Sequence, residues 1–438
     1  MSILIEIKPQ NGIDAKVVGS AAASVSNVPA VNEYKKNGRS ADNVGGDNKP
    51  TEMQMLHKFL TDRYLFRYNQ LTEQTECAVI LKDDNGKVVG YTSFRPADTR
   101  LLNGISIAAM DEGLKCWDRD VKRFVESDLV TEYHPFKLYF DSLPEWDGVD
   151  RVTPLAKRVS SDKTWVICFH RWMLGLTAQW LGYNKENRAN SVAPILVSTA
   201  QGWGKSTFCR MLMPKSLSRF YTDSFDLNTP SAAEQKLAAF GLINLDEFDK
   251  LPPGRLPLLK NIMQMASLNI RKAYKRSCEP LMRIASFIGT SNRRDLLVDK
   301  SGSRRFICVE LRHPIDCVTP VDHDKLYAQL KHEILHGRRY WLSKREEAAT
   351  SETNKAFYRT VPEEEVFNEC FRFADADDPS ARIMSSAEIF AIMKKHNPAA
   401  MRGSTCNSFS RLLPALGERV HTRCRNGYRV KMKDFSGV

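Results

Sequence analysis

Lys205 and Ser206 stand where three local patterns meet in residues 194–207, PILVSTAQGWGKST: a short apolar run, a turn of small residues, and the opening of a helix. That order suits a polyphosphate, because a turn of small residues lets successive backbone N–H groups converge on phosphate oxygens at a helix N-terminus. The pattern G-x-x-x-x-G-K-[ST] is met at Gly204, Lys205 and Ser206, with Thr199 in place of the first glycine. Thr199 has only to turn the chain out of the strand, whereas Gly202 and Gly204 stand where backbone must come closest to phosphate. Lys205 would reach the outer phosphates and Ser206 would hold Mg²⁺. Thr199, Gly202, Trp203, Gly204, Lys205, Ser206 and Thr207 are therefore the candidate ATP-binding set. About forty residues further on, FGLINLDEFDK (240–250) places Asp246 and Glu247 at the end of an apolar strand. Such a pair can divide the work: the first carboxylate orients a Mg²⁺ water, and the second polarises the attacking water. The spacing matters, because two strands of one sheet must deliver these groups to the same edge.

The chain has room for such a sheet and for more. Its 438 residues predict about three domains, and a 42% hydrophobic content is enough for real cores. With 64 Lys and Arg against 52 Asp and Glu, a net charge of +12, an anionic partner is expected, nucleic acid being the commonest. Ten cysteines without a C-x-x-C pair argue against a zinc ribbon or a disulfide framework and for reduced, cytoplasmic thiols. The most apolar helical stretch, 165–183, contains His170, Arg171 and Gln179, so neither export nor a membrane span is expected. Residues 1–50 are rich in Gly, Ala, Ser, Asn and Asp and read as a flexible tail. From residue 51 to 132 the pattern becomes globular. Met53, Leu56, Phe59 and Leu60 recur at helical spacing, 64–72 alternates like a strand, and 78–93 reads as two strands around an Asp83-Asp84-Asn85-Gly86 turn. One helical stretch is expected from about Ile105 to Ser127, giving a small α+β module of winged-helix or collar type.

Residues 133–152, YHPFKLYFDSLPEWDGVDRV, lie some fifty residues ahead of the phosphate loop. Wording and position together resemble the virulence-associated protein E family, P-loop ATPases of phages, plasmids and genomic islands similar to the superfamily 3 helicases of the AAA+ class. The resemblance runs from about residue 133 to 342. It implies an α/β fold, an AAA+ type P-loop core with a parallel sheet, in a domain spanning 133–344. It also implies that Asn292, at the end of LMRIASFIGTSN, is the polar sensor near the γ-phosphate. In KSGSRRFICV, similar to the family's Gly-x-Arg-Arg-Phe element, Arg304 or Arg305 would complete a neighbouring subunit's site, since a planar guanidinium suits the transferring phosphoryl group. Hydrolysis would then depend on a ring, with a hexamer the expected homo-oligomer. Arg271 and Tyr274 match the family's Arg-x-x-Tyr signature, on a β-hairpin expected to face a central channel. From Arg271 to Arg305 there are 10 Lys and Arg against 3 Asp and Glu. Lys272, Lys275 and Arg276 are candidates for DNA phosphates, and Tyr274 for packing or base stacking.

One rival motif competes. KHEILHG (331–337) satisfies H-E-x-x-H, which would set His332 and His336 around a zinc ion with Glu333 as base. No third ligand follows, and the stretch reads better as an amphipathic helix with Leu326, Leu330, Ile334 and Leu335 inward and Gly337 as its cap. Residues 345–378 read as a charged connector. Residues 379–438 read as helix, helix and a hairpin turning at Asn426-Gly427, resembling a winged helix. From Arg402 to Lys433 there are 8 Lys and Arg against 1 Glu, which marks Arg423, Arg425 and Arg429 as candidate DNA contacts, with protein docking as the other use of such a module. The expectation is an ATP- and Mg²⁺-dependent ring ATPase that translocates or remodels single-stranded or forked DNA, as the replicative helicase of a mobile element. Any primase would be a separate chain. The alternative is a nucleotide-gated origin binder or loader without helicase activity.

Overall fold

The computed structural model describes residues 50–183, 188–270, 279–297, 303–359, 362–375, 377–421 and 426–433. The first layer comprises α1 (Glu52–Arg63), β1 (Tyr64–Asn69), β2 (Gln74–Lys82), β3 (Val88–Tyr91), β4 (Arg95–Pro96), α2 (Thr99–Asp111), α3 (Asp118–Val125) and β5 (Thr131–Tyr133). Its sheet runs β3-β2-β1-β5, with β4 also on β2. Leu56, Phe59 and Leu60 of α1 meet Ile105 and Ala109 of α2 and Val121 and Phe124 of α3 over Cys77 of β2. The expected single helix is two, because the chain turns left-handed at Gly113 (φ 82°) and restarts with Asp118 and Asp120 in the next first turn. Glu76 on β2 joins this layer to the next. Its carboxylate accepts from Arg67 Nε (2.9 Å), Asn69 Nδ2 (3.1 Å) and Tyr133 Oη (2.7 Å), and pairs with Arg219 Nη2 (2.7 Å).

The central layer begins with α4 (Pro135–Asp141), α5 (Val152–Lys157) and α6 (Lys163–Trp180). There follow β6 (Ala193–Val197), α7 (Lys205–Met211), β7 (Tyr221–Thr222), α8 (Pro230–Ala239), β8 (Leu242–Leu245), α9 (Leu256–Gln264), β9 (Ser267–Ile270), β10 (Glu279–Met282), β11 (Ser286–Ser291) and β12 (Phe306–Glu310). It closes with α10 (His323–Leu335) and α11 (Lys344–Asn354). Five strands form one parallel sheet in the order β12-β6-β11-β8-β7. A parallel sheet is covered on both faces, and the strands alternate accordingly. Leu196, Leu242, Ile288, Ile307 and Val309 enter the core with α6 and α10. Ile195, Val197, Ile243, Phe287 and Phe306 enter the opposite core with α8 and α9. The polar residues of α6 are used within the fold: Gln179 Nε2 donates to Ala285 O (2.6 Å), and His170 bonds Glu333 (2.8 Å). Among the described residues no helix is long and apolar enough to cross a membrane.

α10 turns Glu333 of the H-E-x-x-H stretch to partners other than its two histidines. Glu333 is buried and bonded by His170, by Gln329 Nε2 (3.0 Å) and by Arg338 Nη1 (3.1 Å), while His332 and His336 stack on each other with centroids 3.8 Å apart. Residues 345–378 do not act as a connector. Most of α11 packs on β12 and α6, whereas Val366, Phe367, Cys370 and Phe371 form one apolar face in the next core. That core belongs to α12 (Pro362–Cys370), β13 (Phe371–Phe373), β14 (Arg382–Met384), α13 (Ser386–His396), α14 (Cys406–Leu416), β15 (Arg419–His421) and β16 (Asn426–Met432). Ser385 and Glu388 form a capping box at α13, and Thr405 forms another with Ser408 at α14, where serine takes the place of the usual Glu or Gln. The hairpin does not turn at Asn426-Gly427: His421 pairs with Asn426 and Val420 with Gly427, so both lie inside β16. Gly427 serves a close approach instead, since a Cβ there would sit 2.6 Å from Met384 O of β14.

Candidate active site

The strand order brings the chemistry together. β11 lies between β6 and β8, so the loop after β6, the acidic residues after β8 and the polar end of β11 emerge side by side at one edge of the sheet. The loop is braced from behind. Gly202 (φ 74°) and Gly204 (φ 81°) are left-handed, and a Cβ on Gly204 would lie 3.0 Å from Cys317 Sγ. Trp203 is half-buried against the core, and its carbonyl accepts the Ile315 N–H (3.0 Å). Thr199 is exposed where the loop leaves β6, and Thr207 is exposed in the first turn of α7.

Lys205 is buried, yet its ammonium meets no carboxylate directly. Nζ donates to Ser198 O (3.0 Å), Ala200 O (3.4 Å) and Asn292 Oδ1 (2.9 Å). Burial pulls its pKa down, and the nearby Asp246 and Asp249 charges work against that. Ser206 Oγ donates to Asp246 Oδ1 (3.0 Å). Thr290 Oγ1 donates to the same oxygen (2.5 Å) and accepts the Glu247 N–H (3.2 Å). Asp249 accepts from Ser291 Oγ (2.9 Å) and from the Asn292 N–H (3.2 Å). Thr290 and Asp249 are thus site residues that spacing alone did not single out, although GTSN and DEFDK contain both. Glu247 adopts φ 52°, uncommon for a residue with a side chain, and Lys250 Nζ holds its carboxylate at 2.7 Å. Behind these groups, Asp223 joins α7 to β7 and β8 by accepting from Arg210 Nη2 (2.7 Å), Tyr221 Oη (2.5 Å) and Asn244 Nδ2 (2.8 Å).

This donor set fits Mg²⁺ bound together with a polyphosphate. Ser206 and Asp246 are hard oxygen donors already in contact, and Mg²⁺ is commonly held by one or two protein oxygens plus substrate phosphates. Among the described residues, no group of three or more His, Cys, Asp and Glu side chains is arranged as a metal cage.

Arg304 and Arg305 are not brought to this edge. They precede β12, whose Phe306 pairs with Ala193, the first residue of β6, while the phosphate loop follows Val197 at the other end. Five residues of strand span about 16 Å, too far for either guanidinium to reach its own loop. Arg304 Nη1 instead lies 3.6 Å from Glu347 on α11. β9 and β10 pair antiparallel, Ile270 with Glu279, as a hairpin requires. Arg271, Lys272, Tyr274, Lys275 and Arg276 lie outside the described residues, as do Arg423 and Arg425, whereas Arg429 is half-buried on β16 opposite Ile383. The hairpin base is held by Arg283, which is fully buried. Its Nε donates to Ala285 O (2.7 Å), and its Nη1 donates to Met263 O (2.7 Å) and Ile262 O (3.2 Å) at the end of α9. Burial pushes its pKa down to about 9.

Residues 140–359 match the virulence-associated protein E-like domain, and residues 360–430 match a domain of unknown function described from a B. Theta gene. No curated protein matches the chain. Among solved structures, the chain is similar to the apo NrS-1 C-terminal region (305-718), at 13% identity and a TM-score of 0.43, covering 88% of this chain and 100% of that one. An A-form apo structure of that region is 14% identical with a TM-score of 0.40, covering 87% and 98%. A structure described as an active SCCmec type IV Cch helicase is 11% identical with a TM-score of 0.31, covering 84% and 92%.

Proposed function

Because the chain belongs to the virulence-associated protein E-like family, we propose that it is an ATP- and Mg²⁺-dependent ATPase that translocates along or remodels single-stranded or forked DNA. The reading extends to a homo-oligomeric ring, expected to be hexameric, built on an AAA+ core of superfamily 3 type and serving as the replicative helicase of a mobile element. The single observation that supports it most is the convergence on one sheet edge of two bonded sets, Lys205 with Asn292 and Ser206 with Asp246 and Thr290.

Each residue then has a task. Lys205, desolvated and lightly held by carbonyls and an amide, exchanges those partners for outer phosphate oxygens. Ser206 and Asp246 hold Mg²⁺, which when bound neutralises charge on the phosphates. Thr290 keeps the Asp246 carboxylate turned toward Ser206 and anchors the backbone of Glu247, the group that polarises the attacking water. Asn292 reaches the same centre from β11. The distance of Arg304 and Arg305 from their own loop supports action on a neighbour's site, which makes turnover depend on assembly.

The test is the ATPase rate with and without single-stranded DNA, for wild type and Glu247→Gln, with light scattering on the same samples. DNA-stimulated turnover that is lost in Glu247→Gln, with ATP-dependent assembly, supports the motor. Assembly without turnover favours the loader, and absence of nucleotide binding removes both readings. Mixing Glu247→Gln with Arg304→Ala or Arg305→Ala subunits, each inactive alone, should restore part of the turnover if the arginines work across an interface, because mixed rings then contain sites with an intact Glu247 and an intact neighbouring arginine.

A further inference from the structure

The C-terminal fold carries an unpartnered polar surface on α14. The inward side of this helix is apolar, with Phe409 and Leu413 fully buried. Its outward side shows Asn407 and Arg411, one turn apart and both exposed, and among the described residues neither side chain has a hydrogen bond or ion pair. Across the core, Phe409 meets Phe367 of α12 with centroids 6.3 Å apart, so the outward sides of the two helices face different ways. α12 turns Glu365 and Glu369 to solvent. Next to α14 stand Arg402, ahead of the helix, and Arg419, at the start of β15, both exposed and, among the described residues, unpaired. Exposed Lys394 and Lys395 stand at the end of α13, which packs against both α12 and α14 and whose His396 lies 3.5 Å from Glu369 of α12. Exposed Arg402, Arg411 and Arg419 thus give the α14 side a local positive charge, with Glu418 the acidic neighbour of Arg419, an arrangement that admits a polyanion.

We infer that α14 reads base edges of double-stranded DNA, with Asn407 and Arg411 as the readers and Arg402 and Arg419 on the flanking phosphates. This rests on the proposal that DNA is the partner, and adds a duplex site separate from the strand handled by the ATPase. An α-helix fits the major groove, where Asn bonds adenine through N6 and N7 and Arg bonds guanine through O6 and N7, each in bidentate fashion. Four residues of helix rise about 6 Å, nearly two base-pair steps, so the two readers would address purines about two steps apart. Phosphate contacts alone would give binding without preference; these two side chains would supply the preference.

The full-length chain is used to select from a randomised duplex pool, and the winning duplex is compared with its scrambled version by fluorescence anisotropy at fixed salt. The expected result is an enriched site containing both an adenine and a guanine, bound at least about 10-fold more tightly than the scramble. Arg411→Ala and Asn407→Ala should each weaken the selected duplex about 10-fold and leave the scramble unchanged. Arg402→Ala should weaken both duplexes alike and lower the salt dependence. No enrichment, equal loss on both duplexes in Arg411→Ala, or unchanged binding in both reader variants would overturn the inference and leave α14 as a protein-docking or purely phosphate-binding surface. Single-strand-stimulated ATPase, measured on the same variants, separates the outcomes: the motor reading can fail while duplex selection succeeds, and the reverse. Unchanged thermal unfolding of the exposed-site variants shows that they are folded.

Discussion

Thr290→Val tests the geometry of the site with one hydroxyl. Valine keeps the shape of threonine, so the packing of β11 should survive, and Thr290 is only 3% exposed. Two bonds go: the one to Asp246 Oδ1 at 2.5 Å and the one that accepts the Glu247 N–H at 3.2 Å. A hydrogen bond to a charged group contributes about 1.5–3 kcal/mol. If that energy holds Asp246 and Glu247 in their working positions, its loss appears in the transition state, and each 1.36 kcal/mol is about tenfold in rate. The expected fall in kcat is therefore about 10- to 150-fold. Nucleotide affinity should change little, because Lys205 and the loop glycines do not touch Thr290. The orphaned Glu247 N–H should also lower stability by about 1–3 kcal/mol. Thr290→Ser restores the hydroxyl and should recover most of the rate. Steady-state ATPase assays with nucleotide titration and thermal unfolding read all three quantities. A Thr290→Val enzyme with kcat within twofold of wild type would refute the claim that this hydroxyl positions the acidic pair.

Lys250→Met releases the Glu247 carboxylate from an exposed pair that contributes about 0.2–1 kcal/mol, so basal ATPase should rise by roughly 1.4- to 5-fold; an unchanged or lower rate would argue against Lys250 as a restraint. Arg283→Met strips two short charged bonds from the end of α9 and the hairpin base, and chemical unfolding should show a loss of about 3 kcal/mol or more, with Arg283→Lys recovering little because an ammonium lacks the fork. Acid stability follows from Glu76 and Glu333. Burial raises the pKa of each, but hydrogen bonds outweigh it, from Tyr133, Asn69, Arg219 and Arg67 at Glu76 and from His170 and Gln329 at Glu333, so both lie below the ordinary 4.5. Groups depressed on folding contribute stability that is complete above the unfolded value and lost as pH falls through the folded one. The melting temperature should therefore drop below about pH 4.5. Glu76→Gln should lower it at neutral pH and flatten that acid limb.

What the sequence determined by itself was local and periodic. The apolar run, the small-residue turn and Gly-Lys-Ser announced a strand, a loop and a helix because their hydrogen bonds and side-chain periods lie within a few residues. The capping box at Ser385 is legible for the same reason, since Ser-Ser-Ala-Glu closes over three residues. The apolar runs of β6, β8 and β11 likewise carried enough information to place the phosphate loop, Asp246 and Asn292 just beyond strand ends. Chain distance carries no such information across strands. That β11 inserts between β6 and β8 is a property of sheet order, and only that order makes Thr290 the bridge between Asp246 and Glu247. The same order sets Arg304 and Arg305 a strand's length from the loop they follow in sequence. Gly427 looked like a turn residue because Asn-Gly favours turns, yet the crowding that requires a glycine there comes from β14, more than forty residues earlier in the chain. Glu333 looked like part of a metal motif until α6 supplied His170, a partner that helical periodicity could not reveal. Local pattern chose the elements; the packing of strands and helices distant in sequence decided which side chains meet, because burial and close contact act between surfaces that only the folded sheet brings together.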